Sequence, residues 1–177
     1  MIVLTGESGV GKSTIEAELE KLGYRKAISH TTRKIREGEI DGVNYFYVTV
    51  EELLKLEEEG KLGEHIQYLG NHYALVKDQI TDDSVVVVEP EGLRQLREKE
   101  DINIFAIYLY ASEETRKQRM IGRGDKLENI HERLEGDKVV FKGVKDMVDG
   151  VVDTENKTIP EVLKEVVDLY EKALSRK

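Results

Sequence analysis

Apolar positions along the chain fall into two kinds of run. Short unbroken ones, Met1 to Leu4, Val85 to Val88 and Ile104 to Leu109, have the length of strands covered on both faces. Between them lie segments with helical spacing. Ile15, Leu19 and Leu22 precede Gly23, Leu93 and Leu96 follow Pro90, and Val162, Leu163, Val166, Val167, Leu169 and Tyr170 follow Pro160. Ser112 is placed to cap a further helix that runs to Ile121, Gly122-Arg123-Gly124 interrupts it, and a polar helix follows over about Leu127 to Gly136. Val151 and Val152 supply a last short strand. Strands alternating with helices predict an α/β fold, a parallel sheet flanked by helices with its ligand at the carboxyl ends of the strands.

The stretch from 31 to 76 breaks that rhythm. Tyr24 to Ser29 reads as a second strand, Lys34 to Asn44 as a polar loop with Gly38 and Gly42, and Val43 to Val48 as an alternating strand. Thr49 with Glu52 is a capping-box signature for a helix over Val50 to Glu59, ended by Gly60. Leu62 to Tyr68 and His72 to Val76 alternate around Leu69-Gly70-Asn71, which predicts a β-hairpin. The chain therefore divides into core segments of about 1–30, 77–118 and 137–177, a small α+β insert of about 31–76, and a helical lid of about 119–136. All belong to one domain.

Composition agrees with a single globular domain: 177 residues, 39% hydrophobic and 36% charged. No stretch is long and apolar enough to span a bilayer and no basic leader precedes the first strand, so the expected location is cytoplasmic. The chain has no cysteine, which excludes disulfides and thiolate chemistry. Its net charge of −9 opposes a general nucleic-acid or anionic membrane surface. Cations nevertheless gather in two places: Arg33, Lys34 and Arg36, and then Arg116, Lys117, Arg119, Arg123 and Arg133. An acidic protein that confines its arginines in this way is concentrating them on a small anion.

The first apolar run meets Gly6-Glu7-Ser8-Gly9-Val10-Gly11-Lys12-Ser13-Thr14, and a helical pattern begins at once. This strand, glycine loop and helix order is that of a P-loop. Glycines let several backbone N–H groups face one point, the helix start adds partial positive charge, Lys12 reaches the outer phosphates and the Ser13 hydroxyl can hold Mg²⁺. The loop predicts a nucleoside triphosphate and leaves its acceptor open.

The acceptor side carries a family resemblance. Ser29-His30-Thr31-Thr32-Arg33-Lys34-Ile35-Arg36-Glu37-Gly38-Glu39 with Gly42 and Tyr45 resembles the monophosphate-binding segment of guanylate kinases, and Glu64 stands nine residues before Tyr73, as in that family. The resemblance implies a P-loop kinase that moves the ATP γ-phosphoryl group to GMP with Mg²⁺. It implies Arg33, Arg36, Tyr45 and Tyr73 on the acceptor phosphate, Glu64 and Ser29 at the base, and Glu39 orienting the arginines. Arg119, Arg123 and Arg133 are similar to the family's lid arginines, and with Lys12 and Arg33 they form the expected catalytic set. Partners would be small nucleotides alone, the protein acting as a monomer or homodimer.

Some positions depart from the family pattern. Tyr73-Ala74-Leu75 lacks the hydroxyl expected at its third place, and Val87 with Glu89 stands where the family has two acids, leaving Ser13 and Glu89 for the metal. The lid is one residue shorter between Arg123 and Arg133, and Asp153-Thr154-Glu155-Asn156 offers several candidates for the adenine side. These departures motivate an alternative acceptor, another nucleoside monophosphate or a ribose phosphate. A phosphopeptide-binding module of the same fold is disfavoured by the intact P-loop.

Overall fold

The computed structural model describes residues 1–68 and 70–176. Its first strand, β1 (Ile2–Thr5), is buried along its whole length. Successive side chains of a strand point to opposite faces, so Met1 and Val3 join one core cluster while Ile2 and Leu4 join another. The helix α1 (Lys12–Lys21) packs Ile15 and Leu19 into the second cluster, and the chain then reaches β2 (Arg25–Lys26).

The main sheet is completed by β7 (Ser84–Val87), β8 (Phe105–Tyr110) and β9 (Gly150–Asp153), in the order β2-β7-β1-β8-β9 with every pairing parallel. One face is covered by α3 (Pro90–Glu98) through Leu93 and Leu96, the other by α1 and by α6 (Ile159–Leu174) through Val162, Val166 and Tyr170.

A second, four-stranded sheet joins β3 (His30–Thr31), β4 (Phe46–Tyr47), β5 (Leu62–Tyr68) and β6 (Asn71–Val76) in the order β4-β3-β6-β5. Its own small core is Leu53, Leu62, Ala74 and Val76, with Leu53 supplied by α2 (Val50–Glu58). Both reciprocal bonds of the Thr49–Glu52 capping box are present, at 3.1 and 2.8 Å. Two further helices, α4 (Glu113–Gly122) and α5 (Leu127–Val140), meet through Met120, Ile130 and Leu134.

Three boundaries differ from the sequence expectation. The strand expected over Tyr24 to Ser29 shrinks to Arg25–Lys26, which pairs with β7, and an unexpected strand, His30–Thr31, follows it in the second sheet. The strand expected over Val43 to Val48 shrinks to two residues, because Val43 and Asn44 donate back to the Ile40 carbonyl and the Asn44 side chain accepts from Ile40 N–H, winding that part into a turn. The last helix of the lid region runs past Gly136 to Val140, held there by Asp137 and followed by Phe141 in the core. The expected hairpin turn includes Leu69, which lies outside the described residues; Gly70 has φ 76° and β6 begins at Asn71.

Candidate active site at the carboxyl ends of the strands

The loop between β1 and α1 turns so tightly that a side chain cannot replace hydrogen at Gly6 or Gly9. Gly6 has φ 148° and a Cβ there would fall 2.5 Å from the Leu109 carbonyl oxygen; Gly9 has φ 81° and its Cβ would fall 2.8 Å from that of Arg116. The loop is thus pressed between β8 and α4. Residues Ser8 to Thr14 line a cleft of about 420 Å³ whose other wall is Arg119, Arg123 and Arg133. The sequence-predicted loop and all three lid arginines therefore share one cavity.

Lys12 Nζ reaches back along the loop to donate to the Gly6 and Glu7 carbonyls. Burial draws its pKa down, while the negative charges of Glu89, Asp137 and Glu7 pull it up again. Arg119 is fastened rather than free. Its guanidinium donates to Val10 O at 3.2 Å, to Thr154 Oγ1 at 2.9 Å and to Thr154 O at 2.8 Å, tying α4 to the loop and to the end of β9. Arg123 and Arg133 converge on Asp125, at 2.7 and 3.4 Å, and both remain about half exposed. Asp125 keeps the two cations side by side, and they in turn hold its carboxyl below the usual range.

On the second sheet, Arg33 forks onto Glu39 with bonds of 3.0 and 2.8 Å. Glu39 also accepts the Arg36 backbone N–H at 2.8 Å and the Tyr47 hydroxyl at 2.7 Å. These bonds, led by that from Arg33, pull its carboxyl down to about 2. The Arg33 guanidinium lies 5.5 Å from the centre of the Tyr45 ring, and that ring lies 5.8 Å from Tyr73. Arg33, Glu39, Tyr45 and Tyr73 thus form one cluster. Arg36 presents its guanidinium to solvent, paired with nothing among the described residues. Ser29 is half-buried beside the cluster, its carbonyl accepting from Phe46 N–H.

Glu64 occupies β5 with only 6% of its surface exposed, and burial pushes its carboxyl up to about 7. Space for it depends on Gly92 in the first turn of α3, where an added Cβ would sit 3.1 Å from Glu64 Oε2. Glu89, three residues earlier, is the N-cap of α3 and acts on Lys12. The start of α3 therefore meets both Lys12 of the glycine loop, through Glu89, and Glu64 of β5, through Gly92.

Leu75 shares a face with Tyr73 and pairs across the strand with Glu64, yet it is fully buried among Val86, Val88, Leu93 and Leu96. Its side chain therefore fills the core beneath the site. Several contributors escape sequence reasoning: Tyr47 on Glu39, Asp125 between two arginines, and Gly92 against Glu64, while Thr154, one of several candidates for the adenine side, proves to lie under Arg119. Only Tyr47 carried a signal, in its alternation with Tyr45.

Comparisons with known proteins agree with this geometry. The family model for guanylate kinase matches residues 1–173. The guanylate kinase of Enterococcus faecalis is 35% identical over 144 residues, covering 76% of this chain and 71% of its own. The crystal structure of guanylate kinase from Anaplasma phagocytophilum superposes with a TM-score of 0.72 at 23% identity, covering 98% of this chain and 85% of that one. By the family model that spans nearly its whole length and by its identity to a curated relative, the chain belongs to the guanylate kinase family of ATP-dependent nucleoside monophosphate kinases.

Proposed function

We infer that the loop Gly6–Thr14 holds the triphosphate of ATP while Arg33, Arg36, Tyr45 and Tyr73 hold the phosphate of GMP or dGMP, so that the γ-phosphoryl group passes between them and leaves ADP and the diphosphate. The observation that carries this reading is the position of α3, with Glu89 acting on Lys12 and Gly92 against Glu64. Two half-sites of different chemistry flank one helix start.

The roles follow from the donors available. Loop N–H groups and Lys12 cradle the triphosphate. Arg33, already oriented by Glu39, and the unpaired Arg36 fork onto the acceptor phosphate, with the two tyrosine hydroxyls adding bonds without charge. Ionised Glu64 accepts from guanine N1–H and the exocyclic amine, a pair of donors adenine does not present, and Ser29 adds a hydroxyl at the base. Phosphoryl transfer needs charge stabilisation more than covalent chemistry, so Arg119, Arg123 and Arg133 are assigned to the transferring group. Asp125 lets Arg123 and Arg133 move together as residues of about 119–136 close over an acceptor held by the insert of about 31–76. The adenine fits the shallow groove of about 130 Å³ beside the loop, lined in part by Arg119, Thr154 and Ile159.

Among the described residues no cluster of three or more His, Cys, Asp or Glu side chains could cage a metal. A hydroxyl and one carboxylate beside a polyphosphate, here Ser13 and Glu89, is a donor set that suits Mg²⁺, which keeps most of its water. Bound there, the ion would neutralise charge on the β- and γ-phosphate oxygens. On this reading the protein works in the cytoplasm with its nucleotides, as a monomer or homodimer acting on small molecules. No helix among the described residues is long and apolar enough to cross a membrane.

Steady-state kinetics of ADP release with ATP and GMP test these assignments. Lys12→Ala loses turnover, whereas Arg36→Ala raises the KM for GMP by about ten-fold or more, the loss of a charge-assisted bond, and leaves the KM for ATP unchanged. An Arg36→Ala enzyme with both constants unaltered would show that the phosphate clamp is misassigned.

A further inference from the structure

The P-loop carries an acid of its own. Glu7 stands inside a loop that must receive a polyanion, and a second carboxylate, Asp137 of α5, reaches the same loop from outside. Asp137 Oδ2 accepts the Ser8 backbone N–H at 2.8 Å and its Oδ1 accepts the Ser8 hydroxyl at 3.4 Å. Between the two acids lies Arg116 of α4, only 4% exposed. Its Nη1 donates to Asp137 Oδ2 and to the Ser8 carbonyl, both at 3.3 Å, and its Nη2 lies 3.8 Å from Glu7 Oε1. Glu7 also accepts the Tyr108 hydroxyl.

We propose that Arg116 is a positioning residue for the phosphoryl donor, an internal counter-charge that lets an acid-bearing P-loop bind a triphosphate. The inference rests on the reading of this loop as the ATP site. Its geometry is that of a charge role more than a hydrogen-bonding one. Arg116 Nε has no hydrogen-bond partner among the described residues, and the nearest approach to Glu7 is longer than a hydrogen bond. A buried guanidinium so incompletely paired is held by the charges on either side of it, which screen poorly where water is excluded. Glu7, Asp137 and Arg116 all act on Lys12 Nζ as well, so the cluster sets the field at the cation nearest the phosphates. Without Arg116, two uncompensated carboxylates would face the incoming polyanion. With all three side chains neutral, the cluster goes from a net charge of −1 to 0, so the net −2 left by removing Arg116 alone is gone even though the ion pairs are gone too.

That last point makes the test specific. Binding of a non-hydrolysable ATP analogue with Mg²⁺ is measured by titration calorimetry, with GMP binding measured alone as an internal control. Arg116→Met weakens analogue binding by about ten-fold or more, within the range of close charge couplings, and leaves GMP affinity unchanged. The triple variant Glu7→Gln, Arg116→Met, Asp137→Asn returns analogue affinity to within about three-fold of the parent. Asp137→Asn alone keeps an acceptor for Ser8 and removes a negative charge, so it binds the analogue at least as tightly as the parent; this variant decides the matter if Arg116→Met does not fold. Parent-like analogue binding by Arg116→Met, a triple variant that folds yet stays as weak as Arg116→Met, or a ten-fold loss in Asp137→Asn would each overturn the proposal. Failure of the parent protein to bind the analogue at all would instead overturn the reading of the loop.

Discussion

Glu64 shows how one side chain can be tuned by burial for its task. A carboxyl with a pKa near 7 is half protonated at neutral pH, and on the proposed reading only its ionised form would accept both guanine donors. As pH falls through 7, kcat/KM for GMP drops, and in Glu64→Gln this limb disappears, leaving the titration of the GMP phosphate near pH ~6. The same burial costs stability. The folded carboxyl keeps its proton up to about 7 whereas the unfolded one loses it near 4.5, so stability falls as pH rises across that window and then levels. Glu64→Gln removes that cost, on the order of 3 kcal/mol, and the variant melts above the parent at pH 8 with the difference closing towards pH 4.5. Leu75 gives the opposite lesson. From the sequence its lost hydroxyl reads as a weaker base contact; in the fold it is core, and Leu75→Ser destabilises by about 2–5 kcal/mol, seen as a lower melting temperature. The spacing of Arg33, Glu39, Tyr45, Glu64 and Tyr73 was legible because each motif position is a residue identity. Depth of burial was not, since a β-strand pattern shows which face a residue lies on and not what covers it.

At the scale of elements, the start of α3 touches both proposed half-sites, Lys12 through Glu89 and Glu64 through Gly92. Its first turn must be narrow enough at Gly92 to leave room for the Glu64 carboxylate. Gly92→Ala improves helix propensity by about 1 kcal/mol while pushing on Oε2, so the variant is predicted to hold its melting temperature and raise the KM for GMP several-fold with the KM for ATP unmoved. A parallel rise in both constants would place Gly92 in general packing instead. The long buried strands and the amphipathic helices were readable from periodicity and caps, including both bonds of the Thr49–Glu52 box. The short strands were not. β3 and β4 have two residues each, and their existence depends on partners far along the chain, as Thr31 pairs with Tyr73. The end of α5 was misplaced for a related reason: Gly136 is a local stop signal, overridden by the tertiary bonds of Asp137.

For the molecule as a whole, the net charge of −9 is set against cations drawn to two places, the cleft wall of Arg119, Arg123 and Arg133 and the cluster around Arg33 and Arg36. Each cationic place is paired with acids that orient it, Asp125 in one and Glu39 in the other. This layout suits two small anions brought together on an otherwise repelling surface. Sequence reasoning located both places, because motifs fix which residues gather; of the acids that hold them in position, Glu39 was already implied by the family resemblance, whereas Asp125 came from the fold. The central claim is that the acceptor half-site reads guanine, through a buried Glu64 placed against α3. Initial rates of ADP formation from ATP, measured across GMP, dGMP, AMP, CMP, UMP and TMP at equal concentration, test it most directly. The account predicts turnover with GMP and dGMP exceeding that with every other acceptor by about 10³-fold or more, as expected where a buried polar group would be left unpaired by the wrong base. Comparable rates with AMP or a pyrimidine nucleotide would contradict it.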